Sequence, residues 1–485
     1  MLAINWVALL AVAVDVVVAL VVAVFVSANR KPSSAIAWVL AVVFIPVIGI
    51  LFFLLVGAGR LPKSRREKQR IVSERILART QGGLNKLSNP DAWPGWLPSM
   101  VRLNRNLGAL PMIGGNTAEL IEDYDGSIAA MADDIDRAER FVHVEFFILV
   151  YDETTVPFFD ALRRACARGV TVRVLSDHIA QFGYPNRKKT IEILREMGAQ
   201  YRPMLPIQPF RGQLRRPDMR NHRKLVVIDD RVGYAGSQNL IKEHYHKKVS
   251  IRRGLHWVEL MARFSGPVVR ELDAVFITDW YSETDELLDP DYQPVVLSEA
   301  PGTWDAQVVP SGPSFENDNN LKLFAAVIQN ARDKVSVTSP YFVPDESIQL
   351  AMVTAASRGL EVELFVSEVS DQFLVFHAQR SYYEQLLRAG VKIYLYAAPA
   401  VLHAKHLSID EDVALIGSTN LDIRALSLHM ELMVMVQSRE FVAAMRTIEA
   451  DYRARSRLLT LAEWQRRPRR DKVFDNLARL TSALM

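Results

Sequence analysis

The chain has 485 residues, 49 % of them hydrophobic and 23 % charged, with 23 glycines and 23 prolines. That excludes a disordered, collagenous or low-complexity protein and leaves apolar material for two or three domains. The single cysteine, Cys166, excludes an intrachain disulfide, and a net charge of +3 is too small to mark a nucleic-acid binder.

Residues 4–27 are almost wholly Val, Ala, Leu and Phe, with Asp15 the only charge, and residues 36–56 carry none. Both runs reach the length of about 20 residues that a helix needs to cross a bilayer. The segment between them suffices only for a turn, so the spacing predicts a transmembrane helical hairpin over residues 1–59. Pro46 and Gly49 keep a re-entrant form open. No basic stretch precedes the first run, which argues against a cleaved signal peptide. Arg60, Lys63, Arg65, Arg66, Lys68 and Arg70 follow the hairpin, against Arg30 and Lys31 in its turn. This bias predicts a multi-pass protein of the cell membrane with the rest of the chain cytoplasmic. Residues 60–117 read as a basic juxtamembrane linker.

The remainder repeats itself. Ala138-Glu139-Arg140-Phe141-Val142 aligns with Ala331-Arg332-Asp333-Lys334-Val335 at an offset of 193, and Arg168-Gly169-Val170 with Arg358-Gly359-Leu360 at 190. Each copy reads as a strand, a helix ending at Gly169 or Gly359, a second strand (170–175; 360–366) and a helix ending at Gly198 or Gly390. This alternation predicts two α/β units with a largely parallel sheet, over 118–290 and 291–485, joined by an acidic, proline-containing linker near 282–301. The second unit ends in a basic cluster, Arg466, Arg467, Arg469, Arg470 and Lys472, followed by an apolar segment at 474–484. That pattern reads either as a helix lying on a bilayer or as an ordinary packed terminal helix.

The most specific repeat is His222-x-Lys224-x4-Asp229-x6-Gly236-Ser237-Gln238-Asn239 against His403-x-Lys405-x4-Asp410-x6-Gly417-Ser418-Thr419-Asn420, at a constant offset of 181. Further on, Glu259-Leu260-Met261 matches Glu431-Leu432-Met433 at 172, which places about nine extra residues in the basic stretch 242–253 of the first unit. On an extended chain the His and Lys of each motif share a face. Gly-Ser-x-Asn offers hydroxyl and amide donors on a turn suited to phosphate. If the units pack about a pseudo-twofold axis, one pocket receives two imidazoles, two ammonium groups, two serines (Ser237, Ser418) and two asparagines (Asn239, Asn420). Such a set suits phosphodiester chemistry: one histidine attacks phosphorus and the other serves as acid and base, with no metal or cofactor required. Glu259 and Glu431 are the candidates for orienting the two rings. Asp229 and Asp410 complete the motif, but their position between two strands reads as a turn or structural salt bridge. Phe147, Tyr341 and Phe342 read as core or pocket wall.

In these motifs the chain resembles the phospholipase D superfamily and, with its hairpin, the bacterial cardiolipin synthases within it. The resemblance extends through Pro340-Tyr341-Phe342-x-Pro344 and Asn420-Leu421-Asp422-x-Arg424. It implies two phospholipase D-like α/β/α domains about a pseudo-twofold axis. It also implies transfer of a phosphatidyl group from one phosphatidylglycerol to the hydroxyl of another, through a phosphohistidine, with release of glycerol. By that resemblance His222 is the nucleophile, His403 the acid and base, Lys224, Lys405, Asp229 and Asp410 belong to the catalytic set, and the two Ser and two Asn bind phosphate. His429 stands where relatives commonly carry Asn. The partners implied are phosphatidylglycerol, other anionic phospholipids and the membrane; no nucleic acid is expected, and a homo-oligomer is compatible. Arg211, Arg215, Arg216, Arg220, Lys247, Lys248, Arg252 and Arg253, with the basic residues after the hairpin, read either as a surface that attracts anionic lipid or as a solvated face. The rival readings are a phospholipase that hands the intermediate to water, a membrane-tethered nuclease and an inactive membrane scaffold.

Overall fold

The computed structural model describes residues 16–18, 20, 21, 24, 32–45, 48–51, 53, 63–80, 86–207, 216–288, 301–315 and 318–482. Much of the expected hairpin lies outside these residues, as do Arg211, Arg215 and positions 289–300 of the expected linker. Among the described residues no helix is long and apolar enough to cross a membrane. The described part of the second run includes the helix Pro32–Phe44, on which Ile36, Leu40, Val43 and Phe44 are exposed.

The first half contains β1 (Ile113–Ile121), β2 (Phe141–Phe146), β3 (Thr171–Asp177), β4 (Gln200–Met204), β5 (Lys224–Ile228), β6 (Val232–Gly236), β7 (His256–Val258) and β8 (Met261–Ser265). The second contains β9 (Trp304–Ser311), β10 (Lys334–Thr338), β11 (Phe342–Val343), β12 (Glu361–Ser367), β13 (Lys392–Tyr396) and β14 (Ala400–Leu402). It continues with β15 (His406–Ile409), β16 (Val413–Gly417), β17 (Leu421–Asp422), β18 (Glu431–Gln437) and β19 (Ser456–Leu459). One 15-stranded sheet runs β19-β13-β12-β10-β15-β16-β18-β9-β1-β8-β6-β5-β2-β3-β4. Outward from the β9–β1 seam the two sides match strand for strand, with β19 the one addition. The seam itself is antiparallel, pairing Ile113 with Ala306, as a twofold relation requires of the strands that meet at its axis.

The sheet is mixed, not largely parallel as the strand–helix alternation predicts. β2, β3 and β4 are parallel, and so are β10, β12 and β13. The helices Val156–Ala167, Arg187–Glu196, Glu346–Ser357 and Phe373–Ala389 cross between them. β5–β6 and β15–β16 are antiparallel because tight turns, entered by Asp229 (φ 53°) and Asp410 (φ 50°), leave no room for a crossover. The helices before β3 and β12 stop where the sequence predicts, at Gly169 (φ 87°) and Gly359 (φ 92°), a left-handed cap that costs glycine little.

Residues 60–117, expected as a linker, carry the helices Lys63–Thr80 and Leu97–Asn106 and the start of β1. The first is clamped to the helix Val268–Thr284 by a buried Arg65–Glu283 pair at 2.6 Å. Val268–Thr284 and Arg439–Ala454 both pack on the sheet at the seam. One core joins Phe264, Leu272 and Phe276 to Val434, Phe441 and Met445 of the other half. Each such side chain stabilises the fold by roughly 1.5–3 kcal/mol. The halves therefore meet through a shared core, which fixes the geometry of anything built across it.

Candidate active site

β5 and β15 begin at the pocket and run away from it. Just ahead of each, the backbone is pinned to the opposite half. The His222 N–H donates to the Met430 carbonyl at 2.9 Å, and the His403 N–H to that of Val258 at 2.7 Å. Asn221 bridges Met430, and β14 pairs in parallel with β7. Met430 and Val258 each precede a glutamate, so this pinning delivers each carboxylate to the other half's imidazole. His222 Nδ1 lies 2.9 Å from Glu431 Oε1, and His403 Nδ1 lies 2.7 Å from Glu259 Oε1. All four side chains are buried. With Nδ1 engaged by a carboxylate, each ring keeps Nε2 for a reaction partner.

The serines close the same relay. Ser237 Oγ donates to Glu259 Oε2 at 2.6 Å, and Ser418 Oγ donates to Glu431 Oε2. Their N–H groups reach the carbonyls of Leu260 (3.0 Å) and Leu432 (2.9 Å). A Cβ on Gly236 would stand 2.4 Å from the Leu260 oxygen, and one on Gly417 2.0 Å from that of Leu432, so only glycine permits the approach. Asn239 accepts from the Ile148 N–H (3.1 Å) and donates to the Tyr245 hydroxyl (3.0 Å), whereas Asn420 Oδ1 is buried without a hydrogen bond. Lys224 Nζ donates to the His222 carbonyl at 2.6 Å. Lys405 Nζ donates to that of His403 at 2.5 Å and stands 3.1 Å from His403 Nδ1. Phe147 walls the His222 side, ring centroids 4.9 Å apart, and Tyr341 the His403 side at 6.2 Å. Phe342 is buried core in β11.

Asp229 and Asp410 are not brought into this group. The Asp229 carboxylate accepts from the N–H groups of Glu139 (2.7 Å), Arg140 and Phe141 (both 2.8 Å), and Asp410 does the same for Arg332, Asp333 and Lys334. Both sit at the far end of the motif strands, roughly 15 Å along the chain from the lysines. There they tie the β5–β6 and β15–β16 turns to the entrances of β2 and β10. Asp229→Asn is expected to lower unfolding stability by about 1–3 kcal/mol, since the amide substitutes poorly for a carboxylate that accepts three N–H groups. Denaturant titration beside kcat per folded molecule checks this; a large loss of kcat at unchanged stability would return Asp229 to the chemistry.

Sequence reasoning missed Tyr245, whose hydroxyl donates to Glu259 Oε1 at 3.0 Å. It lies in the stretch with no counterpart in the second half, so the repeat carried no signal for it. Also missed was the buried Arg223–Asp279 pair, with Arg223 Nε on the Glu431 carbonyl at 3.0 Å. The ligand atoms of His222, His429 and Glu431 lie within 4.8 Å of one another, as do those of Asp152, Glu153 and His246, spacings a metal ion accepts.

Burial, reinforced by Lys224 and Lys405, holds both His222 and His403 well below the usual histidine range. Burial also lowers Lys224 to about 7 and Lys405 to about 8, and raises Glu259 to about 7. A lysine attracts an anion only while protonated, so kcat/KM for an anionic diester is expected to fall as pH rises through those lysine values. A bound diester favours the charged amines, so the corresponding fall in kcat should lie at higher pH. Steady-state pH profiles test this, and a kcat/KM still level at about pH 10 would remove the lysines from substrate binding.

A family model described as cardiolipin synthase, PLD-like domain, matches residues 131–280 and 324–451, and one described as phospholipase D-nuclease N-terminal matches 15–57. The chain is 30 % identical over 470 residues to cardiolipin synthase A of Pectobacterium carotovorum, covering 94 % of each. It is 32 % identical to the cardiolipin synthase of Geobacillus kaustophilus, covering 94 % of this chain and 90 % of that one. Among solved structures, the phosphatidylserine synthase of Haemophilus influenzae shares the fold, with a TM-score of 0.59 at 15 % identity over 79 % of this chain and 98 % of that one.

Proposed function

The chain belongs to the cardiolipin synthase family of the phospholipase D superfamily and is a phosphatidyltransferase of phospholipid biosynthesis, and we propose that it works through the two crossed His–Glu pairs as follows. His222 Nε2 attacks the phosphorus of one phosphatidylglycerol. The bond to the headgroup oxygen breaks, and His403, charged once the bound anionic diester offsets Lys224 and Lys405, gives its proton to the departing glycerol. Neutral His403 then takes the proton from the terminal hydroxyl of a second phosphatidylglycerol, whose oxygen displaces His222 and yields cardiolipin. Lys224 and Lys405 balance the charge on the phosphoryl oxygens, the Asn239 and Asn420 amides supply neutral donors, and Ser237 and Ser418 hold the two glutamates that face the rings. Glu431 and Glu259 hold the rings.

The observation that carries this reading is reciprocity: each imidazole belongs to one half and its carboxylate to the other, so both rings serve a single pocket. Phospholipid substrates agree with a family that makes cardiolipin. The exposed apolar side chains of Pro32–Phe44 and the basic residues that follow the hairpin support a membrane-anchored protein with its catalytic halves on the cytoplasmic side. Purified full-length protein in bilayers of headgroup-labelled and acyl-labelled phosphatidylglycerol is expected to give cardiolipin and free glycerol on thin-layer analysis. Phosphatidic acid as the main product would shift the reading to the hydrolytic relative.

A further inference from the structure

The helix Arg469–Arg479 packs inside out. Its buried face carries Ala478 and Asp475, the latter held by His377 Nδ1 at 2.7 Å, Arg380 at 3.5 Å and Arg467. Its outward stripe is apolar: Val473, Phe474, Leu477 and Leu480 are between 55 % and 80 % exposed. A helix docked on a protein core in water carries the opposite pattern.

The stripe does not end with the helix. Phe373 and Leu374, at the start of the facing helix Phe373–Ala389, are 66 % and 54 % exposed, and Phe373 and Phe474 both pack on the His377 ring. Across the adjoining loop, Val249 and Ile251 of the short helix Lys248–Arg253 are 51 % and 53 % exposed. That helix is tied to the loop by Lys247–Asp371 at 2.7 Å and by Arg253 on the Ser370 carbonyl at 3.2 Å. Asp371 also accepts from the Tyr341 hydroxyl at 2.9 Å, and the Tyr341 ring faces His403. The apolar surface thus borders the His403 side of the pocket. Exposed cations accompany it: Arg466, Arg469, Arg470 and Arg479 around the helix, and Lys248, Arg252 and Arg253 beyond the loop. Apolar side chains ringed by Lys and Arg match an anionic leaflet, which takes up the first and attracts the second.

We propose that this surface docks the catalytic halves on an anionic phospholipid leaflet, with Arg469–Arg479 lying in the interface, so that a lipid headgroup enters from the His403 side. The inference rests on reading the substrate as a membrane phospholipid, and it assigns the face by which that lipid is met. The test uses the full chain reconstituted in phosphatidylglycerol vesicles, with Cys166→Ser and an environment-sensitive dye on Leu477→Cys. The dye is expected to shift to the blue and to be quenched by spin-labelled acyl chains. Quenching by aqueous iodide instead overturns the proposal. So does a shielded dye that spin-labelled lipid cannot reach, the sign that a second copy covers the stripe. The dye reports without turnover, so a wrong product assignment leaves its result standing. In parallel, Phe474→Glu with Leu477→Glu is expected to cut turnover on bilayer phosphatidylglycerol about tenfold while sparing monomeric short-chain phosphatidylglycerol. Equal loss on both substrates, or no loss on either, speaks against docking.

Discussion

His222→Ala and His403→Ala are each expected to reduce cardiolipin formation by at least about 10³-fold, because one removes the nucleophile of the proposed transfer and the other its acid and base. The two variants should then part company on a substrate whose leaving group needs no proton, such as phosphatidyl-p-nitrophenol. With His403 gone, His222 can still attack and expel p-nitrophenolate. One equivalent should appear in a burst, followed by arrest, because no base remains to activate the acceptor. With His222 gone there is no nucleophile and no burst. Rapid-mixing absorbance, with acid-labile lipid label on the protein, reads both results. A burst in His222→Ala alone would reverse the assignment. Retained turnover in either variant would end the two-histidine scheme.

The candidate site was legible because its motif is written twice. A lone His-x-Lys says little, but the six identical positions of the motif at a constant spacing of 181 bring His, Lys, Ser and Asn together in pairs, and the alternation of side chains along a strand puts His222 and Lys224 on one side. The glutamates were legible as a pair but not by partner. Spacing along the chain cannot say that Glu259, 37 residues after His222, reaches across the seam to His403, since that depends on β14 pairing with β7. The parallel sheet was over-read for a related reason: helix–strand alternation holds only up to β4, after which the turn at Asp229 replaces the crossover helix. The helix Lys63–Thr80 was hidden by its own charge. Arg65 and Lys68, read as part of a basic juxtamembrane linker, are partners for Glu283 and Asp285 at the end of a helix more than 200 residues away. Tyr245 and the Lys247–Asp371 tie lie in or bind the unmatched stretch 242–253, where comparison of the halves has nothing to compare.

The crossing of the two halves is itself open to measurement. Each His–carboxylate bond both fixes a ring and stabilises the imidazolium, and its loss to an amide costs about 10²–10⁴-fold in turnover by analogy with other carboxylate-held histidines. Glu431 serves His222, so Glu431→Gln should slow the burst from phosphatidyl-p-nitrophenol itself. Glu259 serves His403, so Glu259→Gln should leave that burst nearly intact and slow only the transfer to the acceptor. Its pH profile should change as well. Glu259 acts as a carboxylate and its pKa is pushed up to about 7 by burial, so transfer in the unaltered protein should be lost as pH falls through that value. Glutamine does not titrate, and the acid limb assigned to Glu259 should vanish in the variant while the alkaline limb set by the lysines remains. If the alanine variants have fixed His222 as the nucleophile and the defects are nevertheless exchanged, with Glu259→Gln slowing the burst and Glu431→Gln the transfer, each glutamate would be serving the histidine of its own half, and the pocket would not be shared across the seam.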